Sequence, residues 1–246
     1  MNLNDQQYSG AARRLGGKGM QRPSILMHDQ NSEGVLRVES RLERLIALAL
    51  SVDPRVSRIK AQPFSIRLDT AEIFPTQSLA RQSVGAQFGL SGEGLIYTPD
   101  FLVELVTGEH LVVECKPKHQ ADLLVEYFAR VGSVLHGIGL RFIVFTDADV
   151  SGRGLEGNLI RIKDAKRMLR KSQTNLMANS IECVSSAEGD VQVAELLESW
   201  SESEVLVAIS MGVIATDLRS GPFSKKMKVQ MAYGDLSHLQ ILGLEH

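Results

Sequence analysis

The chain has 246 residues, 43% of them hydrophobic, and a formal net charge of −2 from 27 basic and 29 acidic side chains. That length can bury a sizeable core and holds one large domain or two small ones. The near-balanced charge excludes global attraction to nucleic acid, so any DNA contact must come from a local patch or a partner. Cys115 and Cys183 are too few for a disulfide framework, no apolar run reaches the length of a membrane span, and the polar opening Met1–Tyr8 is unlike a signal peptide. A soluble cytoplasmic protein with no membrane partner is expected.

Residues 1–34 mix Gly, Gln, Asn and Arg with little periodicity and read as a flexible arm, made basic by Arg13, Arg14, Lys18 and Arg22. Such a charge run is more often solvated than bound. A helix is expected from about Val35 to Leu50, where Leu36, Leu42, Ile46, Ala49 and Leu50 make an apolar stripe and Glu39 and Glu43 fall on or beside it. Asp53-Pro54 ends it. Strands are expected over 56–61 and 64–68. The Gln-, Ser- and Gly-rich stretch from 69 to 96 then suits a surface loop or irregular hairpin.

The next stretch carries the chemistry. Asp100 opens an apolar strand in Tyr97-Thr98-Pro99-Asp100-Phe101-Leu102-Val103, Thr107-Gly108-Glu109 can turn the chain, and Leu111-Val112-Val113-Glu114-Cys115-Lys116-Pro117 is a second strand stopped by Pro. Side chains alternate along a strand, so Glu114 and Lys116 share a face with Val112, while Leu111, Val113 and Cys115 cover the other. Pairing with the preceding strand can bring Asp100 beside them. Two carboxylates and an ammonium at one sheet edge suit metal-dependent phosphodiester chemistry: carboxylates are hard ligands for Mg²⁺ or Mn²⁺, and Lys116 can position water or offset charge on the phosphate. A half-buried hairpin with a surface ion pair has the same spacing. The apolar setting favours the site, because carboxylates on a buried strand are costly unless compensated.

A helix over about 121–135 follows, stopped by Gly137 and Gly139, and Leu140–Thr146 reads as a buried strand. Gly132, Gly137 and Gly139 lack the preceding strand and Lys-Ser/Thr pair of a phosphate loop. Residues 151–173 carry Arg153, Arg161, Lys163, Lys166, Arg167, Arg170 and Lys171 against Glu156 and Asp164. On a helix, 163, 166, 167 and 170 share a face, which suits phosphate contact or a solvated surface equally. A domain boundary is expected near Gln173, giving divisions 1–34, 35–173 and 174–246. Beyond it, Val191–Trp200 and Glu202–Met211 read as helices, with Ser201 as cap and Glu204 three residues on. Residues 213–216 and 228–231 read as a strand pair, and the whole as a winged-helix-like module that can bind DNA or protein.

YTPDFLV with ECKP resembles the PD-(D/E)xK nuclease signature, and more closely the TnsA endonuclease family of cut-and-paste bacterial transposons. Further stretches similar to that family are Glu39-Ser40-Arg41-Leu42-Glu43-Arg44, Val56 to Ala61-Gln62-Pro63, and Phe142-Ile143-Val144-Phe145-Thr146-Asp147, in the expected order; Met211-Gly212-Val213-Ile214 and Thr216-Asp217-Leu218 add a diffuse similarity. The resemblance implies an α/β fold: a restriction-endonuclease-like core with a mixed central sheet flanked by helices, plus the small C-terminal module. Residue by residue it makes Asp100 and Glu114 metal ligands, joined by the Cys115 carbonyl, Glu43 the helix-borne carboxylate completing the metal site, and Lys116 the catalytic lysine. It implies Mg²⁺, with Mn²⁺ as substitute, and hydrolysis at the 5′ ends of a transposon. A TnsB-type DDE transposase acts at the 3′ ends and a TnsC-type regulatory ATPase contacts the C-terminal module. Alternatives are another PD-(D/E)xK nuclease, such as a restriction or defence enzyme, and a non-catalytic DNA-bridging subunit. Neither Gln62 nor Thr146 has a derivable chemical role, and a structural one is expected for both.

Overall fold

A computed structural model describes residues 25–28, 35–88, 94–169 and 191–245. They fall into two compact units: one takes the described residues up to Ile46, Arg55–Ala148 and the end from Leu244, the other Ala47–Pro54 and Asp149–Gly243. The basic residues expected in the arm and the boundary expected near Gln173 lie outside the described residues.

In the first unit, β1 (Ile25–His28) pairs antiparallel with β2 (Val35–Val38). A strand therefore stands at the end of the expected arm and at the expected helix start. Leu36 and Val38 are buried while Val35 and Arg37 are half-buried, so a period of two prevails over the helical stripe. Only after Ser40 does α1 (Arg41–Val52) begin, and it runs into the second unit.

Next come β3 (Val56–Ala61), β4 (Ser65–Arg67) and β5 (Ile73–Phe74). The expected loop over 69–96 instead contains α2 (Gln77–Phe88). Its polar composition hides a narrow apolar stripe, in which Ala80 and Val84 are buried. Polar contacts add to it: the buried Arg67 guanidinium donates to Ser83 Oγ at 2.9 Å and Gln87 Oε1 at 2.8 Å while pairing with Asp69 at 2.6 Å. A short β6 (Ile96–Tyr97) pairs with β4, completing a three-stranded sheet ordered β5-β4-β6.

Then β7 (Phe101–Leu105) and β8 (His110–Cys115) form the expected hairpin; Gly108 at φ +84° supplies its left-handed turn residue. After α3 (Lys118–Leu123) and α4 (Val125–Gly137), β9 (Arg141–Phe145) lies parallel to β8. The four strands are ordered β3-β7-β8-β9, antiparallel except for the last pair, so the protein is mixed α/β with a mixed central sheet flanked by helices. Phe128, Val131 and Leu135 of α4 bury a helical face; Val131 and Leu135 join Val112, Tyr97, Phe64, Ile66 and Leu68 in one core. Burial of this face removes apolar surface from water at about 25 cal/mol per Å², the main force fixing α4 to the sheet.

In the second unit, α5 (Leu155–Leu169) buries Leu155, Leu159, Ile162 and Ala165 and packs against the helix Glu202–Ser210. That apolar stripe groups residues 149–169 with the C-terminal elements. The expected helix over 191–200 is instead the strand Val191–Gln192 and one helical turn, Val193–Leu196, at whose start the Gln192 N–H donates to Glu195 Oε1 at 3.0 Å. Lys228–Met231 is the central strand between Val191–Gln192 and Ile214–Ala215. Buried Asn158 donates to the Leu218 and Gly221 carbonyls and accepts from the Phe223 N–H, tying that loop to α5. No described helix is long and apolar enough to cross a membrane.

Candidate active site

Register places the chemistry. Phe101 pairs with Val113 and Leu102 with Val112, so Asp100, one residue earlier, stands opposite Glu114 at the end of the two central strands rather than along an outer strand. Residues directly opposite in an antiparallel pair share a face. One Asp100 oxygen, Oδ2, accepts the Cys115 N–H at 2.8 Å, which fixes that carboxylate across the strand end.

Glu114 is 5% exposed, and both its oxygens are engaged. Lys116 Nζ lies 2.8 Å from Oε1, and the Tyr97 hydroxyl donates to Oε2 at 2.9 Å. Lys116 is itself anchored: its N–H donates to the Phe145 carbonyl at 3.0 Å, extending the β8–β9 ladder by one rung. Pro117 ends the strand, and Asp147 Oδ1 accepts the Lys118 N–H at 2.7 Å where α3 begins.

Glu43 sits in the first turn of α1, and its carboxylate folds back over the helix start. Its Oε2 accepts the Glu39 N–H at 2.7 Å and its Oε1 the Ser40 hydroxyl at 2.8 Å, while its own N–H donates to Ser40 Oγ at 3.1 Å. This is helix-capping chemistry, legible as Ser40-x-x-Glu43. It gives Glu43 a structural role independent of catalysis.

The electrostatics join the four side chains. Burial raises the Asp100 carboxyl well above the usual carboxylate range, and the charges of Glu114 and Glu43 raise it further against the pull of Lys116. Burial also raises Glu43, opposed by the hydrogen bonds from Glu39 and Ser40. Burial alone would lower the Lys116 ammonium; Glu114 and Asp100 overcome it and raise Lys116, so it stays charged at neutral pH. The buried Cys115 thiol is pushed well up by burial and then by Asp100, so its sulfur is a packing group; its carbonyl is the only hard donor it offers.

The donor chemistry fits a hard divalent cation. Asp100 and Glu114 supply two carboxylates beside the Cys115 carbonyl, a protein contribution of the size Mg²⁺ accepts when it keeps several waters. Among the described residues no group of three or more His, Cys, Asp and Glu side chains is gathered to hold a metal ion, so the carbonyl and water are integral to that fit. A cation would also relieve the mutual repulsion that raises Asp100.

Two residues beside these were not read as functional from sequence. Tyr97 belongs to β6, in the other sheet, and reaches Glu114 across the core; no local spacing signals that contact. A buried tyrosine hydroxyl does require a partner, which is the one available clue. Gln62 follows β3 and donates its N–H to the Asp100 carbonyl at 2.9 Å. Thr146, also buried, follows β9.

On the expected basic face of α5, Lys166 donates to the Val52 carbonyl at 3.1 Å and Arg167 lies 3.8 Å from Asp164. Arg161, off that face, pairs with Glu202 and lies 5.5 Å from the Phe223 ring centre. Arg170 and Lys171 lie outside the described residues. A groove of about 1220 Å³ in this unit is walled by Arg153, Thr216, Arg219, Lys226, Lys228 and His238 among others. Arg219 is committed to the Asp149, Ser151 and Ile241 carbonyls. No protein-family model and no curated protein matches the chain.

Proposed function

We propose that the chain is a divalent-metal-dependent DNA endonuclease acting at Asp100, Glu114 and Lys116, with Glu43 beside them. The observation that carries this reading is the placement of half-buried Asp100 opposite buried Glu114 at the end of paired central strands, with Lys116 holding one Glu114 oxygen. Such a cluster is costly in a fold and characteristic of sites where charge is used. Asp100, Glu114 and the Cys115 carbonyl would hold Mg²⁺, or Mn²⁺ in its place, and Glu43 would complete the site. The ion supplies neutralisation of phosphate charge and a lower pKa for attacking water. Lys116, kept charged by its neighbours, presents an ammonium to the scissile phosphate, and Tyr97 and Lys116 together hold Glu114 in one orientation.

The TnsA resemblance extends the proposal to the 5′ ends of a transposon, with a TnsB-type transposase supplying sequence recognition and a TnsC-type ATPase meeting a winged-helix-like C-terminal module. The near-zero net charge agrees with dependence on a partner. The test is nicking of supercoiled DNA in Mg²⁺ or Mn²⁺, with and without the transposase partner. The parent should nick, weakly alone and more with the partner, and Lys116→Ala should not. Equal activity of the two would overturn the mechanism, and robust site-specific cleavage by the chain alone would favour a restriction-type enzyme. A non-catalytic DNA-bridging subunit is the second reading, favoured by the engagement of Glu43 in its helix cap. DNA binding without cleavage under every condition would select it.

A further inference from the structure

Gln62 bears two local costs at once. Its backbone lies at φ +44°, in the left-handed region that a non-glycine residue seldom adopts, and its side chain is 3% exposed with Oε1 lacking any hydrogen-bond partner. The amide orientation is fixed by its neighbour: Nε2 donates to Glu39 Oε1 at 3.2 Å, and turning the amide over would set oxygen against carboxylate. Strain and an orphaned acceptor that persist together are features a fold retains where the surroundings over-determine them, commonly at sites.

The contacts of Gln62 say what it holds. Its N–H donates to the Asp100 carbonyl at 2.9 Å, one residue before β7 begins. Its side chain holds Glu39, whose N–H donates to Glu43 Oε2 at 2.7 Å. Three hydrogen bonds therefore run from the strand end bearing Asp100, through Gln62, to the carboxylate of Glu43. The two carboxylates sit on elements far apart in the chain, and after burial and Glu114 the charge of Glu43 adds to what raises the Asp100 carboxyl.

We infer that Gln62 is a positioning residue for the cation site, a brace that fixes Glu43 relative to Asp100. This rests on the proposed metal-dependent reading and adds a residue to it. The brace acts through other residues, so its loss should misplace ligands without removing any.

The experiment measures Mn²⁺ affinity of the full chain by calorimetry and, in parallel, kcat and KM for nicking. It compares parent, Gln62→Ala, Gln62→Gly and Asp100→Ala. Glycine relieves the backbone strain at φ +44°, so Gln62→Gly should melt no lower than Gln62→Ala and keeps the comparison valid if alanine folds poorly. Both Gln62 variants are expected to bind Mn²⁺ about tenfold more weakly or worse, the low end of the 10- to 100-fold range seen when outer-shell partners are removed, and to lower kcat with little change in KM. Asp100→Ala should bind far more weakly still. Parent-like Mn²⁺ affinity in folded Gln62→Gly, with Asp100→Ala impaired, would overturn the brace and leave the metal site standing. A parent that binds Mn²⁺ yet never nicks would instead overturn the nuclease reading, and the affinities would still decide for or against Gln62. A parent that does not bind Mn²⁺ would overturn both.

Discussion

The Tyr97 hydroxyl donates to Glu114 Oε2 at 2.9 Å from a strand that belongs to a different sheet from Glu114 itself. Tyr97 is 4% exposed and meets Phe142 edge-on at 6.0 Å, so the ring is fixed by packing and the hydroxyl is aimed by the ring. One Glu114 oxygen thus depends on a residue that would never touch a substrate.

Tyr97→Phe keeps the ring and removes the donor. The buried oxygen loses its partner, and a stability loss of about 1–3 kcal/mol is expected, measured by urea denaturation without metal. Nicking should fall as well, because Lys116 alone then holds Glu114. Unchanged stability would mean that water replaces the hydroxyl without penalty.

Asp100→Asn should stabilise the metal-free protein, by an amount on the order of 1 kcal/mol, the ordinary scale of a single substitution. The sign follows from the direction of the Asp100 shift, upward through burial and then Glu114 and Glu43. Below the ordinary carboxylate range Asp100 is protonated in both states, and the parent and variant should differ little. From the unfolded value up to the raised folded value the native chain binds more protons than the unfolded chain, so parental stability falls as pH rises. Asparagine cannot ionise and escapes that fall, so its advantage should grow with pH and level off above the folded value. Melting curves in chelator across pH check this; an advantage that shrinks with rising pH would reverse the assignment. Added Mn²⁺ should raise the parent's melting temperature and leave the variant's almost unmoved.

His238 should make the second unit acid-sensitive. Its Nε2 lies 2.8 Å from the Ile209 carbonyl, so in the neutral ring that nitrogen carries the proton and donates. Burial lowers the imidazole below its usual 6.5, against smaller opposing effects from Ile209 and Asp235. The unfolded chain then takes up the proton first as pH falls, and stability present above about 6.5 is lost below it. His238→Gln keeps a donor without the titration, and its melting temperature should fall less between pH 7 and roughly pH 5 than the parent's. Parallel pH profiles would rule out His238 as the source.

A fragment ending at Gln173 should fail to behave as a folded nuclease core. It retains α5 and deletes the helix Glu202–Ser210 against which α5 packs, uncovering Leu155, Leu159 and Ile162. Size-exclusion chromatography should show aggregation. A monodisperse fragment with one cooperative melt would mean that α5 folds with the first unit.

Where sequence and structure agree, the determinant is local. The β7–β8 hairpin follows from alternation and from Gly108, and the start of the helix Glu202–Ser210 from Ser201 and Glu204, whose reciprocal bonds measure 3.3 and 2.6 Å. The charged and apolar faces of β8 follow from the same alternation. Disagreement arises where distant contacts decide. Val35–Val38 pairs with Ile25–His28, a partner strand that periodicity around Leu36 does not reveal. Gln77–Phe88 is a helix held largely by polar groups, Arg67 above all, so an apolar stripe was the wrong signal to seek. The capping of α1 by Ser40 and Glu43 is local too, carried by Ser40-x-x-Glu43. Tyr97 required knowing which sheet β6 joins, and Gln62 required a dihedral angle that no residue type announces.

The alternation in β8 makes the site a check on its own assembly. If β8 paired with β7 one residue out of step, Glu114 and Lys116 would turn into the layer now filled by Leu111, Val113 and Cys115, and those apolar groups would take the face that Val112 and Glu114 now share. Two charges would then sit in a dry layer with neither Tyr97 nor Asp100 to meet them. A chain mispaired by one residue is therefore strongly disfavoured. The residues that make this strand chemically useful are the same ones that penalise a one-residue slip of it, so the correct facing of the strand and a complete site arrive together.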